Sequence, residues 1–143
     1  MINISIYTDG SCLGNTTGSP GGWAAILVHP KKELVLRGYD CATTNNRMEL
    51  TAVIEAIAKL NKPCNVTVYT DSTYVIAGYH SPNPKKNLDL IQSLYAVVEN
   101  GHHTLNFQHI YGHTGNVYNE RCDRIAKEQA MKARKERANG VLS

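Results

Sequence analysis

Apolar and polar residues alternate with a period of two near the start of the chain and again near its middle. Ile2, Ile4 and Ile6 alternate with Asn3, Ser5 and Tyr7, and Val66 and Val68 with Thr67 and Tyr69, the spacing of half-buried β-strands. Trp23 to Val28 and Glu33 to Tyr39 read as two further strands joined by His29-Pro30-Lys31-Lys32, so the first three strands predict an antiparallel meander. From Asn46 the period lengthens. Leu50, Val53, Ile54, Ile57 and Leu60 form one stripe of a helix, with Asn45 or Asn46 as its N-cap and Asn61 with Pro63 as its stop. A short helical turn from Thr73 to Ala77 is followed by a loop from Gly78 to Lys86. Leu88, Ile91, Leu94, Tyr95 and Val98 then mark a second long helix with Gly101 as its C-cap residue. Thr104 to Ile110 is a fifth strand, and Tyr111 to Asn116 a loop. A last helix from about Tyr118 carries the inner stripe Cys122, Ile125, Ala126, Gln129 and Ala130. The order βββαβ, a helical region, then βα predicts an α/β domain with a five-stranded mixed sheet flanked by helices.

Both alternating strands end in the same way, at Tyr7-Thr8-Asp9 and Tyr69-Thr70-Asp71, with the aspartate on the face of the tyrosine. If the two strands are parallel neighbours about 4.8 Å apart, Asp9 and Asp71 lie side by side. Two such carboxylates repel. Either one holds a proton, as in a general acid/base pair, or a cation sits between them, and oxygen ligands favour magnesium, manganese or calcium. Glu49 falls in the first turns of the first long helix, where a glutamate is ordinarily solvated and favoured by the helix dipole. The segment Gly10 to Gly22 after the first aspartate is rich in Gly, Asn and Ser and reads as a loop or hairpin connection lying against the carboxylate.

Composition narrows the class without naming the chemistry. The 143 residues suit one domain, expected over 1–138 with a basic helix and tail from about 127 and an irregular end over 139–143. No apolar run reaches the 18 or so residues that cross a bilayer, and Met1 leads straight into a strand pattern without a leader, so no membrane role and a cytoplasmic location are expected. Cys12, Cys41, Cys64 and Cys122 show no paired metal spacing and are expected to be reduced, small apolar residues. The net charge of +3 is modest. With four of the 12 acidic residues set aside for a metal, however, 8 remain against 15 basic ones, a surface suited to a polyanion.

Four blocks occur in order: Thr8-Asp9-Gly10-Ser11, Thr44-Asn45-Asn46-Arg47-Met48-Glu49-Leu50, Thr70-Asp71-Ser72, and Gly112-His113-x-Gly115 followed by Asn119-Glu120-x-x-Asp123. On these the chain resembles type 1 ribonuclease H from its first strand to its last helix. The resemblance implies a ribonuclease H-like fold in a monomer. It further implies endonucleolytic hydrolysis of the RNA strand of an RNA–DNA hybrid, leaving 3′-hydroxyl and 5′-phosphate ends. It assigns Asp9, Glu49, Asp71 and Asp123 to two magnesium ions, with manganese able to substitute: Asp9 bridges both, Asp71 completes one site, and Glu49 and Asp123 complete the other. His113 assists proton transfer or product departure, and Glu120 lies close by. Gly10, Ser11, Cys12, Asn15 and Asn45 are implied on the RNA side, Thr44 and Asn46 on the DNA side.

Two departures from the bacterial pattern stand out. The basic protrusion that grips the hybrid is reduced to Tyr79 through Asn87, and the glycine segment is one residue longer. Lys127, Lys132, Arg134, Lys135 and Arg137 could compensate for the first by contacting phosphates, or form a solvated helix face. A binding module without cleavage would lack one of the carboxylates, and none is missing. A related nuclease acting on DNA fits the Thr44 to Leu50 block less well, and a protease-like aspartate pair leaves Glu49 and Asp123 idle.

Overall fold

The protein is described from a computed structural model over residues 1–14, 18–111 and 115–142. Five strands and four helices follow in the order β1 (Ile2–Cys12), β2 (Ser19–His29), β3 (Lys32–Thr43), α1 (Asn45–Ala58), β4 (Cys64–Thr70), α2 (Thr73–His80), α3 (Leu88–Asn100), β5 (Thr104–His109) and α4 (Val117–Leu142). One sheet holds all five strands in the order β3-β2-β1-β4-β5. The first three form the expected antiparallel meander, whereas β1, β4 and β5 are parallel. Helices cover both faces. On one, Ile4, Ile6, Ala25, Leu27, Val66 and Val68 pack with α1 and α3 residues such as Leu50, Val53, Ile57, Ile91 and Leu94. On the other, Ala24 and Ile26 meet Cys122, Ile125 and Ala126 of α4. Double coverage explains why Trp23 to Val28 is a continuous apolar run, with Ala25 and Leu27 in one core and Ala24 and Ile26 in the other, since a strand buried on both faces has no side for polar residues.

Several expectations need correction. Of the two readings of Gly10 to Gly22, loop or hairpin connection, the hairpin is the one found, and both its ends are strand. Gly10, Ser11 and Cys12 pair with Trp23, Gly22 and Gly21, so the strands run past Asp9 and glycine serves close packing there. A Cβ on Gly10 would lie 2.6 Å from the Glu49 amide nitrogen, and one on Gly22 would lie 2.4 Å from Ala126 O and Ala130 N. The glycines let α1 and α4 press onto the sheet. The N-cap of α1 is Thr44, whose hydroxyl accepts from the Arg47 N–H at 3.2 Å, and not Asn45 or Asn46. Gly78, Tyr79 and His80 belong to α2, which is longer than the single turn expected because Ser72 caps it and Val75 is buried beneath it. Gly101 is the C-cap residue of α3 as expected, though the left-handed position falls on His102. α4 stays helical to Leu142, through most of the segment expected to be irregular.

Candidate active site

Strand register places the first two carboxylates. Tyr7 lies opposite Tyr69 across the parallel β1–β4 pair, their rings stacked at 4.7 Å. Two residues further on in each chain segment come Asp9 and Asp71, on the same face. Thr70 ends β4, and its hydroxyl accepts from the Ser72 N–H at 3.0 Å. Ser72 in turn caps α2, accepting from the Val75 N–H at 3.2 Å. Asp71 is therefore fixed between a strand end and a helix start. Glu49 arrives from α1 through the close approach at Gly10 and is only 7% exposed, not solvated as a first-turn glutamate ordinarily is.

One oxygen from each of Asp9, Glu49 and Asp71 lies within 4.8 Å of the others. Burial, then the neighbouring Asp71, pushes the Asp9 carboxyl up to about 7 from its ordinary 3.8. Burial and then Asp9 hold Glu49 well above its ordinary 4.5. A hydrogen bond between these two carboxyls adds to the rise of Glu49 and partly offsets that of Asp9. Glu49 Oε2 is buried with no hydrogen-bond partner among the described residues, an acceptor that a proton or a cation would satisfy. Asp9 Oδ1 accepts from the Gly10 N–H at 2.9 Å.

These groups line an open cleft of ≈ 480 Å³ with Gly10, Ser11, Cys12, Asn45, Asn46, Ser72, Thr73, Tyr74 and Asp123. Asp123, in the second turn of α4, borders the cleft but stands outside the close trio, its carboxylate accepting from Lys127 Nζ at 3.1 Å. Asn45 Oδ1 accepts from the Cys12 N–H at 2.8 Å, tying the end of β1 to the start of α1. The donor set of the trio is all oxygen, and the nearby Cys122 thiol, pushed up to about 12 by burial, is turned to the Tyr7 carbonyl. Three clustered carboxylates, of which Asp9 and Glu49 are raised and Glu49 also carries the unsatisfied oxygen, fit a hard divalent cation better than they fit one another.

Of the residues expected at the site, Asp9, Gly10, Ser11, Cys12, Asn45, Asn46, Glu49, Asp71 and Asp123 border the cleft; Thr44 does not, its hydroxyl being used as the cap. Asn15 and His113 lie outside the described residues, and Glu120 sits in the first turn of α4 away from the cleft lining. Sequence reasoning missed Ser72, Thr73 and Tyr74 as lining, and it placed Lys127 at phosphates or on a solvated face rather than beside Asp123. These three were signalled only by their place after Asp71, and the Lys127 pairing by its i+4 spacing from Asp123. All four cysteines are free, Cys64 and Cys122 buried and Cys12 and Cys41 partly so. No helix among the described residues is long and apolar enough to cross a membrane.

Comparison with known proteins bears on what such a cleft does. Residues 2–131 match the family model described as RNase H. Ribonuclease H of Alcanivorax borkumensis is 45% identical, the match covering 88% of this chain and 90% of that protein. That of Polaromonas naphthalenivorans is 41% identical over 92% of this chain and 89% of its own. Among solved structures, LC9-RNase H1, a type 1 RNase H with the type 2 active-site motif, superposes with a TM-score of 0.79 at 27% identity, over 92% of this chain and 74% of that one. LC11-RNase H1, isolated from compost, gives 0.74 at 28% identity over 93% and 99%.

Proposed function

The chain belongs to the RNase H family, and from that premise we propose that it hydrolyses the RNA strand of RNA–DNA hybrids endonucleolytically, with two magnesium ions, leaving 3′-hydroxyl and 5′-phosphate ends. The observation that carries this reading is the convergence of Asp9, Glu49 and Asp71 within 4.8 Å in a cleft that Asp123 also borders. These four carboxylates would hold the cations. Divalent ions, when bound, supply Lewis-acid activation of water and neutralise charge gathering on the phosphate and leaving oxygens. The protein supplies position. Asp9 and Asp71 are set by strand register and Glu49 by the Gly10 contact, so the charged groups are prearranged before substrate arrives.

Discrimination is assigned to the rim. Gly10, Ser11 and Cys12 on β1 and Asn45 on α1 face the cleft where the RNA strand would lie, and their N–H, C=O and amide groups suit the 2′-hydroxyls displayed across the minor groove. Asn46 is assigned to the deoxy strand; Thr44 acts there through the α1 cap. His113 is assigned to proton transfer or product departure on the strength of its sequence block.

The test is cleavage of an end-labelled RNA–DNA hybrid with magnesium, beside duplex DNA and duplex RNA, with Asp9→Asn and EDTA as controls. Cutting confined to the RNA of the hybrid and lost in both controls is expected. A hybrid that is bound yet left intact with magnesium and with manganese would refute catalysis and leave a binding module.

A further inference from the structure

The corner of the sheet where β2 begins and β3 ends is held by a residue of the last helix. Arg137 Nη1 donates to the Gly18 carbonyl at 2.6 Å and to the Cys41 carbonyl at 3.3 Å. Both lie where the β2–β3 ladder is broken. Ser19 faces Thr43 while Gly21 faces Asp40, and Pro20 between them has no N–H to offer the bulged residues Cys41 and Ala42. The guanidinium therefore supplies donors where the ladder lacks them. The Cys41 thiol adds a second tie to the same helix, donating to the Ala133 carbonyl at 3.6 Å.

From this corner, hydrogen bonds lead to the cleft. The Gly18 N–H donates to the Thr43 carbonyl at 3.2 Å. Thr44, next in the chain, caps α1, and Asn45 accepts from the Cys12 N–H on the cleft rim. The connection leaving β1 after Cys12 returns at Gly18, so both its roots are held through this one network. Arg137 lies past residue 131, where the family match ends, and it does not border the cleft.

We propose that Arg137 is a positioning residue for substrate recognition, bracing the β2–β3 corner so that Cys12 and Asn45 meet the hybrid in one fixed arrangement. This rests on the hybrid-cleaving reading above. Because the brace touches neither the carboxylates nor the cleft, its loss acts on binding and spares the chemical step. The guanidinium stays charged while bonded to the carbonyls, so a direct phosphate contact is the competing account. Lys135, also exposed and basic on the same helix and without a bond to either carbonyl, separates the two.

The experiment measures KM, kcat and their salt dependence on the hybrid for the wild-type protein, Arg137→Ala, Arg137→Lys and Lys135→Ala, with amide exchange at Gly18 in each. Arg137→Ala is expected to raise KM about five- to tenfold, the scale of one lost hydrogen bond of ordinary net strength, as suits an exposed guanidinium, at every salt concentration, with kcat within about twofold. Arg137→Lys, which keeps a cationic donor, is expected to recover most of the loss, and Lys135→Ala to leave Gly18 exchange unchanged. Equal KM rises in Arg137→Ala and Lys135→Ala with flattened salt dependence would overturn the brace in favour of a phosphate contact. Unchanged KM, or a fall confined to kcat, would overturn it as well. If wild-type protein leaves the hybrid uncut, the proposed activity fails by itself. The brace is then judged by exchange, and equal protection of Gly18 in the two alanine variants would overturn it.

Discussion

Asp9→Asn is expected to stabilise the metal-free protein while abolishing its activity. Burial and the adjacent Asp71 move the Asp9 carboxyl from its ordinary 3.8 to about 7. Its charged form is thus disfavoured in the folded state by about 3 pH units, or about 4 kcal/mol at about 1.4 kcal/mol per unit. The folded pKa is raised above the unfolded one, so the stability associated with protonated Asp9 is fully present below about pH 4 and is lost as pH rises through about 7. Asparagine does not titrate, and its side-chain oxygen can still accept from the Gly10 N–H. At pH 7.5 in EDTA the variant is expected to melt about 10 °C above the wild type, using about 2–4 °C per kcal/mol for a domain of this size. Near pH 4 the two midpoints converge. Magnesium narrows the gap at neutral pH by binding the folded wild type alone. The assay is thermal unfolding by circular dichroism or calorimetry at pH 4, 6 and 7.5, with and without magnesium. Equal midpoints at pH 7.5 in EDTA, or a gap that does not change between pH 4 and 7.5, would refute the view that repulsion in this trio strains the metal-free fold.

The same electrostatics predict that magnesium binding near pH 6.5 expels a proton from Asp9; titration calorimetry in buffers of different ionisation enthalpy measures the release, and a buffer-independent heat would contradict it. His113→Ala is expected to slow turnover about 10²-fold without abolishing it, the lower range for loss of a proton-transfer group, and unchanged single-turnover and steady-state rates would remove His113 from the site. Among the tail cations, Lys127 is tied to Asp123 and Lys132 sits over the Tyr39 ring at 5.5 Å. If the exposed Arg134 and Lys135 pair with phosphates, replacing both with glutamine weakens hybrid binding and lowers the slope of log K against log salt by up to about 0.9 for each phosphate no longer neutralised, whereas an unchanged slope assigns them to a solvated face.

The chain itself determined which strands alternate and which run apolar, the shared parity of Asp9 with Tyr7 and of Asp71 with Tyr69, the stripes of the long helices, and the four blocks that carry the family resemblance. These are properties of neighbours a few residues apart, and side-chain periodicity records them directly. What lay beyond it depends on segments far apart in the chain coming together. Glu49 reads locally as a solvated first-turn acid, and only the approach of α1 over Gly10 buries it against Asp9. The glycines after Asp9 read locally as a loop or hairpin connection, and only the pairing of β1 with β2 beneath two helices shows that they are there to be small. Asn45 reads as a cap until Thr44 takes that role and leaves its amide for Cys12. Lys127 and Arg137 read as members of one basic tail, yet one is bonded to a carboxylate of the cleft and the other to two carbonyls at a broken ladder. A charge pattern along a helix specifies a face. Where each charge ends depends on the polar groups that the rest of the fold brings to that face.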